Sequence, residues 1–293
     1  MKSTRDIDTS MVSSTNVPGE KRVLGVEPNG RGVGPGRVEL FRYRISAAGL
    51  ENDVAETLSW IKNRNTVRYM ATANPHSLVV ASKDEVFKNA LLQADILIPD
   101  GTGILLASKT LNTSPLVREK VAGTDFFLRF SELASRMGGV KYFFLGSSEN
   151  VLSLIRSRFA SDYPGIEVCG TYSPPYRERF SDEENQQMVD AIRAARPDAL
   201  WVGMTAPKQE KWIFENRSKL DVPFTGAIGA VFDFYAGTKA RSSLFWQKLG
   251  LEWLPRFFRE PERLWERNVK STPIFLSWIV REKIRQVFSA DPT

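Results

Sequence analysis

A single carboxylate stands between a buried-looking apolar run and two glycines in Leu97-Ile98-Pro99-Asp100-Gly101-Thr102-Gly103. Ile96, Leu97 and Ile98 show no polar alternation, as expected of an interior parallel strand covered on both faces. Gly101 and Gly103 permit backbone angles and close approaches that a side chain would block. In an open α/β sheet, ligands sit outside the carboxyl ends of the strands, which is where Asp100 is expected. Two roles suit it. It is either a general base or hydroxyl anchor, or it is the N-cap of the helix that follows.

Other expected strand ends carry small or polar residues: Thr72-Ala73-Asn74, Leu145-Gly146-Ser147-Ser148 and Gly203-Met204. Turns of this kind leave helix-start N–H groups free, which suits a pyrophosphate. Neither G-x-G-x-x-G nor G-x-x-x-x-G-K-[ST] occurs, so a standard dinucleotide site and a P-loop are both unsupported. Arg118 and Lys120 precede a helix whose expected cap is Thr124, and they are either phosphate ligands or part of a solvated loop. Pro207-Lys208-Gln209-Glu210 opens a helix with proline and a carboxylate in the first turn, and Gln209 has the reach for a sugar hydroxyl. In the run Gly226 to Gly237, Phe232 or Phe234 could stack on a base while Asp233 accepts from it, although the same residues also fit plain core. His76, the only histidine, is an acid–base candidate or a turn residue.

These residues need a scaffold, and the hydrophobic pattern supplies one. Residues Val38 to Ser46 alternate as an edge strand or hairpin, and Leu50 to Lys62 carries a helical stripe. Strands are expected over Val67–Thr72, Ile96–Ile98, Val140–Leu145, Ile166–Cys169, Ala199–Val202 and Pro223–Ile228. Helices are expected over Ser77–Gln93, Thr124–Met137, Glu149–Phe159, Glu183–Ala195 and Lys208–Leu220. This alternation predicts a Rossmann-like α/β fold, a parallel sheet with helices on both faces, over 38–237. Residues 1–37, rich in Ser, Gly, Pro and charge, are expected to be a disordered tail. Residues 238–293 are expected to form a helical appendage in which Trp246, Trp253, Trp265 and Trp278 lie among Arg256, Arg259, Arg263, Arg267, Lys270, Arg281, Lys283 and Arg285. Basic amphipathic helices with aromatics suit anionic headgroups at a membrane surface. Packing on the sheet or on another subunit is the alternative.

The 293-residue chain has a net charge of +6, which favours an anionic partner. No recognised nucleic-acid module appears, so nucleic acid is not expected. One cysteine and one histidine argue against a zinc site of ordinary ligand type. The lone Cys169 and the missing signal peptide lead to the expectation of a cytoplasmic location.

Six motifs together carry a resemblance. They are Thr72-Ala-Asn74-Pro75, Pro99-Asp100-Gly-Thr-Gly103, Val121-Ala-Gly123-Thr-Asp125, Gly203-x-x-x-Pro207-Lys208-Gln209-Glu210, Gly229-Ala-Val-Phe232-Asp233-x-x-Ala-Gly237 and Gly250-Leu-Glu252-Trp253-x-x-Arg256-x-x-x-Glu260-Pro261-x-Arg263. Over about Val38 to Val287 the chain closely resembles the WecG/TagA/CpsF glycosyltransferases.

The resemblance implies an inverting, metal-independent enzyme without a cofactor. Such an enzyme moves a hexose or N-acetylhexosamine (or its uronic acid) from a UDP-sugar to an undecaprenyl-pyrophosphate-linked acceptor, in the synthesis of exopolysaccharide, capsule or related surface glycans. It implies a peripheral position on the inner face of the bacterial plasma membrane; self-association is left open. The implied catalytic set is Asp100 as base, with Thr72, Gln209, Arg256 and Arg263. The implied substrate-binding set is Asn74, Gly101, Thr102, Gly103, Lys120, Gly146, Ser147, Gly203, Lys208, Phe232, Asp233 and Arg259. Many relatives carry arginine in place of Lys120, and lysine cannot make the bidentate phosphate contact. A dinucleotide-dependent oxidoreductase and a non-catalytic lipid-pyrophosphate scaffold are the competing readings. The absent glycine fingerprint counts against the first, and release of UDP separates the enzyme from the second.

Overall fold

The computed structural model describes residues 36–64, 66–240 and 270–289. An antiparallel hairpin, β1 (Arg37–Leu40) and β2 (Tyr43–Ser46), leads into α1 (Leu50–Asn63). Six further strands follow: β3 (Arg68–Ala73), β4 (Ile96–Pro99), β5 (Val140–Gly146), β6 (Ile166–Tyr172), β7 (Ala199–Gly203) and β8 (Phe224–Ala227). They pair in parallel in the spatial order β4-β3-β8-β7-β5-β6. The expected parallel α/β sheet is therefore present, and its helices lie on both faces.

Side-chain alternation along the strands sorts the core into layers. Met70, Ile98, Tyr142, Trp201 and Phe224 face α1, α5 (Gly123–Met137), α6 (Glu149–Asp162) and α9 (Val231–Ala236). Tyr69, Phe143, Leu200 and Val202 face α7 (Asp182–Ala195) and α8 (Lys208–Asn216). Ala71, Ala73 and Leu97 meet α2 (Pro75–Ala81), α3 (Glu85–Leu92), α4 (Thr102–Thr110) and the last described helix, α10 (Ser271–Ser289). At the centre, Trp201 takes edge-to-face contacts from Phe127, Phe130 and Phe224 at 5.0, 5.3 and 5.2 Å, geometries that favour the ring quadrupoles beyond simple burial.

Several expectations shift. The single helix expected over Ser77–Gln93 is two. Asn74 and Ser77 form a reciprocal capping box that starts α2 at Pro75, and Asp84 accepts from the Phe87 N–H to start α3, because each cap satisfies otherwise orphaned donors. The expected Thr124 cap is not used: α5 starts at Gly123 after Ala122, without a side-chain cap. The helix expected to run to Leu220 ends at Asn216 and tightens into a 3₁₀ turn, Arg217–Lys219. β6 runs on to Tyr172, paired with Leu145 of β5. The expected tail, 1–37, lies almost wholly outside the described residues, and so does most of the expected appendage.

At the carboxyl edge, β5 and β7 meet glycine to glycine, with Gly146 opposite Gly203. A Cβ on Gly203 would sit 2.4 Å from the Phe232 ring, whose residue is only 1% exposed. Gly203→Ala is expected to cost about 1–3 kcal/mol through overpacking, read as a lower urea midpoint with an unchanged slope.

Candidate active site

Because the sheet is parallel, the carboxyl ends of its strands share one edge, and a cleft of about 2430 Å³ runs along it. Its walls include Thr72, Asn74, Asp100, Gly101, Thr102, Gly103, Lys120, Ser147, Gly203, Lys208, Gln209 and Asp233. Most of the residues expected in the site, scattered over some 160 positions of sequence, are thus brought together.

Asp100 follows β4 directly. Its N–H donates to the Ala73 carbonyl at 2.8 Å, and Ala73 is paired with Pro99, so the Asp100 backbone is anchored beside the end of β3. Gly101, at φ +133°, makes the turn into α4 and is the residue at its N-cap position, with no side-chain cap. Asp100 therefore precedes the N-cap position instead of occupying it. Asn74 does serve as a cap: its Oδ1 accepts from the Ser77 N–H at 2.9 Å. α4 lies tight on α2, since a Cβ on Gly103 would fall 2.4 Å from the Pro75 ring. Lys120 reaches the cleft because the Val121 N–H donates to the Pro99 carbonyl at 2.9 Å. Arg118 is exposed outside the cleft wall.

Two expected ligand contacts are corrected. Phe232 is 1% exposed and packs edge-on to Phe144 at 5.4 Å, so its ring belongs to the core and cannot stack on a base. Two residues further along the same helical turn, Phe234 is on the cleft wall. Gly146 is buried beneath the wall. A Cβ there would strike the Gly203 carbonyl at 2.6 Å, so this glycine permits strand contact while Ser147 and Ser148 face the cleft. Lys208 lies on the wall with its ammonium already engaged. It sits 3.8 Å from the centre of the Phe180 ring and donates to the Arg177 carbonyl, tying down the loop between β6 and α7. Asp233 pairs with Lys239 at 3.4 Å. Arg256, Arg259 and Arg263 lie outside the described residues.

Three features escape a reading of sequence alone. The β6–α7 loop, Ser173 to Phe180, forms the far wall, although Pro174-Pro175 signals only a loop. α10 supplies Thr272, Phe275 and Leu276 to the near wall, and Ser271 at its start bonds His76 Nδ1 at 2.9 Å. Glu210 looks like an ordinary first-turn carboxylate, yet it is 1% exposed, and its Oε1 accepts from Gln209 Nε2 at 2.8 Å. No local signal marks that burial, which the packing of α8 on the sheet imposes. Burial also pushes the Cys169 thiol up to about 11, so it is no candidate nucleophile at neutral pH. Among the described residues, no three His, Cys, Asp or Glu side chains gather as metal ligands.

A parallel α/β sheet whose strand-end turns line one long cleft places the candidate ligand site at the carboxyl edge of the strands. The model of the glycosyl transferase WecG/TagA/CpsF family matches residues 38–288, and the chain belongs to that family and is a glycosyltransferase. It is 28% identical over 221 residues to an N-acetylglucosaminyldiphosphoundecaprenol N-acetyl-beta-D-mannosaminyltransferase of Bacillus spizizenii, covering 75% of this chain and 82% of that protein. A protein of the same description from Staphylococcus aureus is 26% identical over 248 residues, covering 82% of this chain and 93% of its own length.

The buried carboxylate leaves a pH signature. Desolvation raises Glu210 from 4.5 to about 7. The folded chain therefore holds this proton more tightly than the unfolded one, and stability falls as pH rises from about 4.5 to 7. Glu210→Gln keeps the shape and removes the charge. Its melting temperature is expected to exceed that of the unmodified chain at pH 8 and to converge with it near pH 5; a gap that widens toward acid would refute the buried charge.

Proposed function

We propose that this glycosyltransferase moves a hexose or N-acetylhexosamine, or its uronic acid, from a UDP-sugar to an undecaprenyl-pyrophosphate-linked acceptor, with inversion and without a metal. The observation that carries this reading is Asp100, anchored at the end of β4 beside Thr72 and Asn74 of the β3 end, on the wall of a cleft of about 2430 Å³. Ordinary small-ligand pockets measure roughly 300–1,000 Å³, so this cleft has room for a nucleotide-sugar and an acceptor headgroup together. The relatives' names, which specify an N-acetylglucosaminyldiphosphoundecaprenol, support the acceptor.

In this mechanism Asp100 takes the proton of the acceptor hydroxyl. That oxygen attacks the anomeric carbon from the face opposite the diphosphate. The new C–O bond forms as the bond to the phosphate oxygen breaks, and UDP leaves with the electron pair. Departure requires positive charge in a water-poor site. Lys120, the start of α4 and the arginines Arg256, Arg259 and Arg263 are the groups assigned to it.

Asp100→Asn is expected to keep UDP binding and lose about 10²- to 10⁴-fold in turnover, the range of a general base. The assay is UDP release over a panel of UDP-sugars with a GlcNAc-diphosphoundecaprenol acceptor. Full activity in this variant removes the base assignment.

The acceptor is a lipid, and α10 has a face suited to meeting it. Phe275 and Ile279 turn inward, while Leu276, Val280, Ile284, Val287 and Phe288 are 42, 56, 50, 58 and 78% exposed. Their three- and four-residue spacing puts them on one stripe, with Arg281, Lys283 and Arg285 on the same helix. No helix among the described residues is long and apolar enough to cross a membrane, which fits peripheral docking at an anionic inner-membrane surface. Replacing Val280, Ile284 and Phe288 by serine is expected to lower partition onto phosphatidylglycerol vesicles at least about tenfold. Unchanged co-sedimentation would remove α10 as the docking face.

A further inference from the structure

Glu210 has no part in the transfer chemistry above, yet it is a buried carboxylate bonded to a residue of the cleft wall. One of its oxygens accepts from Gln209 Nε2; the other, Oε2, is buried without a partner, as is Gln209 Oε1. An ionised carboxylate can only accept, so it selects the end of the Gln209 amide that faces it. The nitrogen turns to Glu210 and the oxygen is left for something else. Against the amide lies the turn at Gly229, which also lines the cleft. A Cβ on Gly229 would sit 3.6 Å from both amide heteroatoms. That is ordinary van der Waals spacing, so the Gly229 turn packs directly over the amide at the cleft wall.

We infer that Glu210 is a positioning residue: it fixes the Gln209 amide so that the oxygen is an acceptor for an O–H or N–H group of the sugar being transferred. The inference rests on the reading that the cleft holds a sugar nucleotide. It accounts for the unpartnered Gln209 Oε1. A buried acceptor without a partner is costly, and the bound sugar supplies the missing donor to Gln209. It also gives the site a way to discriminate, because an analogue lacking the matching donor leaves that oxygen unpaired. In contrast to Asp100, Glu210 touches no reacting atom and acts only through its neighbour.

A double-mutant cycle tests this in the full chain, with the UDP-sugar that the unmodified protein turns over best, at pH 8, where Glu210 is ionised. Glu210→Gln can offer its own amide N–H to Gln209 and so releases the lock. It is expected to lower kcat/KM about tenfold, with Gln209→Ala lowering it at least as much. The double variant should then be no worse than Gln209→Ala, since the effect of Glu210 passes through that amide. A structural role would instead give losses that multiply. Multiplying losses, or a Glu210→Gln variant as active as the unmodified chain, overturns the inference. Should Glu210→Gln fail to fold, Glu210→Met fills the same volume, leaves Gln209 Nε2 without its acceptor and is held to the same criteria. An unmodified chain that neither binds nor turns over any UDP-sugar overturns the donor assignment, and this inference with it. A chain that does both while the cycle is additive overturns the inference alone.

Discussion

Parallel pairing forces every strand of the main sheet to end at the same edge, and the site depends on that constraint. The Ala73–Pro99 and Gly146–Gly203 pairings bring four chain segments to one rim, where each must turn into a helix or loop. Such turns expose helix-start N–H groups and small residues whether or not a ligand exists. Among the carboxylates on this cleft, Asp100 is the one placed directly after a strand of the sheet, at the end of β4. Its backbone is tied to the neighbouring strand through the Ala73 carbonyl, and Gly101 holds the N-cap position of α4.

Several rim residues serve the fold and the cleft at once. Asn74 starts α2 and lines the wall. Ser148 caps α6 on the opposite side. Lys208 holds the β6–α7 loop through a ring contact and a carbonyl. Side chains already held by local bonds lose little freedom when a ligand arrives, which favours preorganised binding. The near wall is completed from far along the sequence. α10 packs its inner face on α2 and α4, with Phe275 and Trp278 meeting Phe41 of the hairpin at 5.4 and 5.8 Å. Phe41 and Arg42 sit at φ 52° and 73°, a backbone that non-glycine residues adopt at some cost and that this aromatic packing helps to hold.

That arrangement gives the enzyme two kinds of surface. The cleft lies at the sheet edge, and its walls mix charged and polar side chains with apolar ones. The outward stripe of α10 is apolar and begins at Leu276, itself part of the cleft wall. In the reaction proposed above, one helix bordering both regions would let a headgroup enter the cleft while its lipid chain stays in the bilayer.

By itself, the sequence determined the parallel α/β scaffold and the strand-end position of Asp100. Apolar runs without alternation, glycine turns and helical stripes are local signals, and local signals survive without knowledge of distant contacts. The family motifs added most of the wall residues. Only the tertiary structure decided what depends on who packs against whom. It turned Phe232 inward onto Gly203 and left Phe234 on the wall. It divided the helix after Asn74 at the Asp84 cap. It buried Glu210 against Gln209, where the pattern shows a routine helix start. Burial and side-chain direction are set by neighbours that the fold brings from elsewhere in the chain, and no window of sequence contains them.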